Sequence, residues 1–174
     1  MLHRLMVLGV VAAVSTVASV DLSACGDKFL RIGRSSRLSG YAAVHPSTIL
    51  FFVPGQSKPS AVKEFETTLK RAGHRFHAVT TIAAFSEALA TGQVDIVIAG
   101  MNDAPRLRTH ASAAPSRPEI LPIVHEPSRA VLVSMQEEYG HVLKLPVTKH
   151  EALAEIDRVM ESRLGRNAVN ASDR

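Results

Sequence analysis

The chain has 174 residues, of which 46% are hydrophobic and 21% are charged. This balance fits one globular domain once any targeting segment is subtracted, and it excludes an intrinsically disordered chain. Aromatic residues make up 5% of the chain and no tryptophan is present, so the core must be built from Val, Ile, Leu and Ala. Such a core favours layered α/β packing over an aromatic-rich binding module.

The first residues have the pattern of an export signal. The letters MLHR supply a short basic region, and Leu5 to Val20 form an almost uninterrupted apolar run that ends in small residues. That run of sixteen residues is shorter than the roughly 18 to 20 residues that a transmembrane helix needs. We therefore predict that residues 1–24 are a signal peptide and that the remaining chain is exported to the periplasm or cell envelope.

The single cysteine lies directly after this segment. The sequence Leu22-Ser23-Ala24-Cys25 resembles the lipobox of bacterial lipoproteins, in which the cysteine is lipidated and becomes the first mature residue. The resemblance implies a lipid anchor at Cys25, which would also explain a lone exported cysteine without a disulfide partner. The alternative is ordinary signal-peptidase cleavage near Ala18 or Ala24, which would leave a free thiol.

A basic segment follows the cysteine. Within residues 25–47, positive side chains recur every third residue at Lys28, Arg31, Arg34 and Arg37. Next to an anionic membrane surface, each could add on the order of 1 kcal/mol of attraction, so we predict a basic tether that contacts the membrane. The alternative is a solvated linker with incidental charge. Nucleic acid is not expected as a partner, because an exported chain rarely meets it and no aromatic residues interleave with these charges.

From residue 48 onward, apolar strand patterns alternate with amphipathic helix patterns. Short apolar or β-branched runs indicate five strands, at Thr48–Val53, Arg75–Thr80, Val94–Gly100, Ile120–Glu126 and His141–Val147. The third strand is apolar on both faces except for Asp95, which we expect to be solvated, and this is typical of the middle of a parallel sheet. Arg106–Pro118 is rich in Ala, Ser and Pro, which predicts a short or frayed helix. Short crossovers then predict a doubly wound parallel sheet.

The helix after the fifth strand has the clearest boundaries. Thr148 and Glu151 have the S/T-x-x-E spacing of a capping box, in which each side chain satisfies the backbone donor of the other residue. Its apolar stripe ends at Gly165, which marks a helix end. We therefore predict a domain at residues 48–164 and a disordered tail at residues 165–174.

The order and lengths of these elements resemble the receiver domain of two-component response regulators over roughly residues 48–163. Three segments carry the resemblance: ILFFVPGQS for the first strand and its loop, ATGQVDIVIAGMNDAP for the third strand, and HVLKLPVTKHEALAEIDRVM for the last strand and helix. The resemblance implies a flavodoxin-like sheet with strand order 2-1-3-4-5. The motifs CGDKFL and YAAVHP ahead of it are similar to uncharacterised exported bacterial proteins, which implies no activity.

The resemblance also indicates where phosphoryl chemistry would lie. A working receiver holds Mg²⁺ with an acidic pair after the first strand, accepts the phosphoryl group on an Asp that ends the third strand, and neutralises it with a Lys before the Pro that follows the fifth. In this chain the acidic pair falls on Pro54 and Gly55, the phosphoacceptor on Gly100 and the Lys on Leu145. We therefore assign no catalytic, metal or cofactor residue.

Neighbouring polar residues do not replace these groups. The Ser or Thr that a receiver carries after its fourth strand falls near residues 126–127, which are Glu and Pro. Lys144 precedes Leu145, and adjacent side chains of a strand point to opposite faces, so we expect Lys144 to point away from the site. Asp103, which follows Asn102, has the pattern of a helix N-cap.

We therefore interpret the sequence as an exported, lipid-anchored, receiver-like interaction module that is not phosphorylated and binds an envelope protein. It is not expected to be an enzyme. The alternative is an envelope solute-binding protein that uses the crevice at the carboxyl ends of the strands, the usual ligand location in open α/β sheets. The residues expected to line that crevice or interaction surface are Pro54, Gly55, Ser57, Gly100, Asn102, Asp103, His125 and Lys144.

Overall fold

The computed structural model describes residues 41–53 and 59–172. The predicted signal peptide, Cys25 and the basic residues Lys28, Arg31, Arg34 and Arg37 lie outside these ranges, as do Pro54, Gly55 and Ser57. Strands and helices alternate throughout the described ranges, in the order β1 (Thr48–Phe52), α1 (Pro59–Ala72), β2 (Arg75–Val79), α2 (Ile82–Thr91), β3 (Ile96–Gly100), α3 (Ala104–Ala113), β4 (Glu119–His125), α4 (Arg129–Tyr139), β5 (Leu143–Leu145) and α5 (Lys149–Ser172).

The strands form one parallel sheet with the order β2-β1-β3-β4-β5. The predicted doubly wound sheet and its strand order are therefore confirmed. β3 lies at the centre, between β1 and β4, and its residues Ile96 to Ala99 are completely buried. A central strand that is apolar on both faces needs helices on both sides, and this agrees with its sequence.

Two apolar layers cover the two faces of the sheet. Side chains alternate along β3, so Ile96 and Ile98 pack with α1 and α5, whereas Val97 and Ala99 pack with α2 and α3. Phe85 of α2 is completely buried in the second layer. The spacing of three and four in the helices thus supplies an apolar face to the sheet. Because all five strands are parallel, their carboxyl ends lie at one edge of the sheet.

The ends of two helices can be compared with the sequence predictions. α3 is a short helix of ten residues, as predicted, and it is regular because Leu107 and Ala111 are buried against the sheet and offset the weak propensity of its sequence. α5 does not end at Gly165 but continues to Ser172, so the predicted helix end is wrong and the segment predicted as a disordered tail is helical through Ser172. An exposed glycine inside a helix costs only about 1 kcal/mol, and Arg166 Nη2 pairs with Glu119 Oε1 at 2.5 Å just beyond it.

The capping box of α5 is confirmed. The Thr148 amide donates to Glu151 Oε2 at 2.9 Å, and the Glu151 amide donates to Thr148 Oγ1 at 3.3 Å. The backbone bond to Thr148 holds the pKa of the Glu151 carboxyl below its usual value.

Among the helices of the described ranges, none combines the length and the hydropathy that crossing a membrane requires.

The described chain begins with a segment that we call the strap, residues 41–47, which packs on the domain ahead of β1. The Ala43 amide donates to the Ala72 carbonyl at 2.8 Å, and the Arg75 amide donates to the Ser47 carbonyl at 2.9 Å. The sequence predicts that the strap belongs to the basic tether and that the domain begins at residue 48. The structure shows that these seven residues are part of the domain body.

Candidate functional site

The candidate site lies at the edge of the sheet where the parallel strands end. Gly100 ends β3, His125 ends β4 and Leu145 ends β5, so the loops after these strands meet at one edge. Ligands in open α/β sheets bind outside this edge. The predicted crevice residues of the described ranges all lie on or near it.

Gly100 takes the place where a receiver would carry its phosphoacceptor. Its φ lies outside the left-handed region that favours glycine, and among the described residues a Cβ atom added to it would meet only Asp103 Oδ2, at 3.9 Å. The backbone at residue 100 and the described residues around it therefore leave room for a Cβ atom. The absence of a carboxylate at residue 100 is a chemical difference from a working receiver and is not imposed by the backbone.

The predicted N-cap role of Asp103 is only partly correct. Asp103 occupies the N-cap position of α3, with Pro105 in the first turn, but its backbone is in the αR region and its side chain accepts no capping hydrogen bond. The carboxylate instead faces Arg106, whose Nη2 lies 3.3 Å from Oδ1. Asn102 is exposed in the turn between β3 and α3.

β4 and β5 present no Ser, Thr or Lys side chain toward the site. Glu126, after β4, has a positive φ of 41°, and its amide donates to the Leu145 carbonyl at 3.0 Å. Leu145 occupies the position before Pro146, where a receiver needs its cation. Lys144 is exposed, while Leu143 is buried and Leu145 half-buried, so Lys144 points to the other face as predicted.

An apolar cavity of 710 Å³ adjoins this edge, between α1 and the start of α5. Gly100 and His125 line it, whereas Asn102, Asp103 and Lys144 are absent from its described wall, so these predicted crevice residues are not brought together. Most of its wall is apolar and is formed by Phe51, Phe52, Ala61, Val62, Phe65, Ile123, Leu143, Leu145, Val147 and Ala152.

The rim of this cavity carries one ion pair. Lys149 Nζ lies 2.8 Å from Glu64 Oε1, and both side chains are exposed. The hydrogen bond from Lys149 holds the pKa of the Glu64 carboxyl below its usual value. Because solvent screens exposed pairs, the pair adds little to stability.

Within residues 41–53 and 59–172, no group of three His, Cys, Asp or Glu side chains is placed to hold a metal ion.

At the opposite edge of the sheet, Asp95 departs from the prediction that it is solvated. Its Oδ2 accepts a hydrogen bond from the Thr48 amide at 2.8 Å, and Arg163 Nη2 lies 3.8 Å from its Oδ1. Arg163 also donates to the carbonyls of Asp95, Ser116 and Arg117. Asp95 therefore joins β1, β3 and α5 at the amino ends of the strands.

Sequence reasoning missed two buried polar residues, Asp157 and His74, which are 5% and 3% exposed. Asp157 binds the strap, and its position did contain a signal, because it is four residues after Leu153 and three before Met160, on the apolar stripe of α5. No signal marked His74 as buried, since it lies between a helix-ending glycine and a strand.

The comparisons with known proteins agree with this architecture. No protein-family profile and no curated protein sequence matches the chain. Among solved structures, a response regulator receiver protein from Sinorhizobium medicae is 19% identical, covers 70% of this chain and 99% of its own, and has a TM-score of 0.54. The signal receiver domain of an HD domain-containing protein from Pseudomonas fluorescens is 16% identical, covers 70% of this chain and 99% of its own, and has a TM-score of 0.55.

At these identities, the likeness shows the fold. The chain contains a receiver-like domain with the five-stranded flavodoxin-like sheet of response regulators. The expected receiver resemblance is thereby confirmed for the fold.

Proposed function

We propose that the chain is an exported, lipid-anchored, receiver-like interaction module that takes no phosphoryl group and binds a protein of the cell envelope. The observation that carries the proposal is the pair of residues at the chemical positions of the site, Gly100 at the end of β3 and Leu145 at the end of β5. Phosphoryl transfer to a receiver needs a carboxylate at the first position and a cation at the second. The site therefore retains a receiver's shape without its acceptor or its positive charge.

The nearest carboxylate does not supply the missing chemistry. Asp103 Oδ2 would lie 3.9 Å from a Cβ at residue 100, but Asp103 Oδ1 faces Arg106. A hard cation such as Mg²⁺ needs several oxygen ligands, and the residues at the two acidic-pair positions are Pro54 and Gly55. We therefore propose that the surface at the carboxyl ends of the strands binds a partner protein.

The distribution of charge supports a membrane-facing tether. The described residues carry thirteen Lys and Arg and thirteen Asp and Glu, whereas residues 1–40 carry five and two. The folded domain is thus close to neutral, and the positive charge is concentrated ahead of it. A tether with this charge is attracted by anionic lipid, and a lipid on Cys25 would provide the second signal that stable anchoring requires.

The solute-binding alternative is not favoured. It would use the same edge of the sheet, but the comparisons lead to receivers. Three of its expected wall residues, Asn102, Asp103 and Lys144, are also absent from the described wall of the cavity.

Two measurements test the proposal. The full chain is incubated with a small phosphodonor and Mg²⁺ and then analysed by intact mass spectrometry, with the Asp103→Asn variant as the control for the nearest carboxylate. We expect no acyl phosphate on either protein, and stoichiometric acyl phosphate on the unmodified sequence would refute the proposal. Mass spectrometry of the N-terminus from a membrane fraction should find diacylglyceryl-Cys25, and an unprocessed N-terminus in the cytosol would refute export.

A further inference from the structure

The strap is attached to the domain at two points that both involve buried titratable side chains. At its start, Tyr41 Oη donates to Asp157 Oδ2 at 2.5 Å, and the amides of Val44 and His45 donate to the same carboxylate at 3.3 Å each. At its end, Ser47 contacts His74. The strap therefore joins α1, β2 and α5 before the chain enters β1.

Asp157 depends on the strap for its hydrogen bonds. The carboxylate is 5% exposed, and all three of its donors in the described chain come from strap residues. A buried carboxylate without donors is costly. Attachment of the strap is therefore favoured as long as these donors keep their geometry.

His74 holds the other end of the strap as a neutral imidazole. The Ser47 amide donates to its Nδ1 at 3.3 Å, and Ser47 Oγ lies 2.9 Å from the same atom. Since Nδ1 accepts from an amide, the proton of the neutral ring is on Nε2. Nε2 is buried and has no hydrogen-bond partner within the described residues, so this histidine is paired only through its acceptor atom.

We propose that the strap is an acid-sensitive latch, which is closed on the domain at neutral pH and opens locally, with the sheet intact, when His74 takes up a proton. A protonated ring has no acceptor at Nδ1, so the bond from the Ser47 amide is lost. The second proton also places a positive charge in a site that is 3% exposed. Both effects weaken the closed state and leave the open state unaffected.

The direction of the pH effect follows from where the proton binds more tightly. Burial lowers the pKa of His74 in the closed state, and the negative charge of Asp157, on α5, acts in the opposite direction with a smaller effect. In the open state the ring is hydrated and returns toward its ordinary pKa of about 6.5. The open state therefore binds the proton more tightly, and opening is favoured as the pH falls below about 6.5.

Other charged groups near the strap act on its tyrosine end. Burial raises the pKa of Tyr41 to about 12, assisted by the hydrogen bond to Asp157, while Glu161 and Arg158 have smaller and opposed effects. Tyr41 therefore stays protonated in acid and remains a donor. The ring of His150 packs edge-on against Tyr41 with centroids 5.1 Å apart. His150 therefore contacts a side chain of the strap, whereas His74 accepts a hydrogen bond from the strap backbone through Nδ1.

Opening has two consequences for the module. It uncovers the Asp157 carboxylate on α5, and it frees the seven strap residues. At about 3.3 Å per residue, those residues extend the reach of the preceding chain by up to roughly 20 Å. An acidic compartment would therefore change both the exposed surface of the domain and the distance to which it can extend.

Hydrogen exchange of the full chain in detergent, measured by mass spectrometry at pH 7.5 and 5.0 and corrected for intrinsic rates, tests the latch. We expect protection of residues 41–47 to fall by on the order of tenfold or more at pH 5.0, while β3 stays protected. His74→Asn keeps an acceptor near the Nδ1 position without titrating, so its strap protection should change by less than about twofold. His77→Asn, at an exposed position of β2 three residues after His74, is the matched control and should behave as the unmodified chain.

Three results would overturn the latch. One is equal strap protection at both pH values in the unmodified chain, and another is the same acid loosening in the His74→Asn variant. The third is a parallel loss of protection in β3, which would mean global unfolding and no local opening. If His74→Asn does not fold, His74→Gln carries the same test, since it also lacks a titrating group.

Discussion

Replacing Asp157 by Asn should destabilise the domain by about 2 to 3 kcal/mol. Hydrogen bonds to a charged group contribute about 1.5 to 3 kcal/mol each, and Asp157 accepts three, one of 2.5 Å and two of 3.3 Å. The two long bonds belong at the low end of that range, and the amide oxygen of the substituted side chain retains one acceptor. Its NH₂ group replaces the other oxygen and faces the amide of either Val44 or His45, so the bond from that amide is lost and two donors oppose each other.

The size of this loss has an upper limit set by the strap itself. If the strap detaches, the substituted side chain becomes hydrated, and the cost cannot exceed the free energy of docking the strap. Urea denaturation of the full chain in detergent gives the measurement. With a slope of roughly 1.5 kcal/mol per molar urea, the midpoint should fall by about 1.5 M.

Asp103→Asn provides the matched control, because it is the same substitution at a carboxylate with one partner. Asp103 is 23% exposed and its contact with Arg106 is 3.3 Å long, so its loss should cost less than about 0.5 kcal/mol. Equal urea midpoints for the two variants, or an Asp157→Asn midpoint equal to that of the unmodified chain, would refute the role of Asp157 in holding the strap.

Three further predictions concern other parts of the domain. Tyr41 should ionise near pH 12 in a spectrophotometric titration. Because this pKa is raised in the folded state, the contribution of Tyr41 to stability is present below pH 10 and is lost as the pH rises toward 12. Ionisation near pH 10 would contradict the buried hydrogen bond to Asp157. Gly100→Asp should lower the free energy of unfolding, measured in urea, by on the order of 1 kcal/mol, because the new carboxylate is repelled by that of Asp103. Adding Asp103→Asn should restore the lost stability. A double variant with the same urea midpoint as Gly100→Asp alone would refute the proximity of the two carboxylates. Thr148→Ala should lower stability by about 1 kcal/mol through loss of the cap, and a neutral effect would show that the capping box adds nothing.

The strand order and the central place of β3 could be predicted because they depend on local patterns. Continuous apolar runs such as Ile96 to Ala99 indicate a strand covered on both faces, and short crossovers restrict the topology. Assigning a receiver's phosphoacceptor position to Gly100 required only that the end of one strand be aligned with that of a receiver. These features are encoded within a few residues of where they appear.

The strap and its attachment could not be predicted, because they depend on contacts between distant parts of the chain. Tyr41 and Asp157 are 116 residues apart, and no local pattern links them. The continuation of α5 beyond Gly165 could not be predicted for a related reason, because the ion pair between Arg166 and Glu119 forms only after the sheet is assembled. Asp95 was misjudged for the same reason, because its partners Thr48 and Arg163 come from other elements.

We propose that this receiver-like domain takes no phosphoryl group because the acidic pair, the phosphoacceptor and the lysine of a working receiver are missing, and restoring these residues tests the proposal most directly. A variant with Pro54→Asp, Gly55→Asp, Gly100→Asp and Leu145→Lys is incubated with a small phosphodonor and Mg²⁺ beside the unmodified chain, and acyl phosphate is measured by intact mass spectrometry. We predict acyl phosphate on residue 100 of the variant and none on the unmodified chain. Acyl phosphate on the unmodified chain would contradict the claim, and a folded variant without it would show that the site's shape is not that of a receiver.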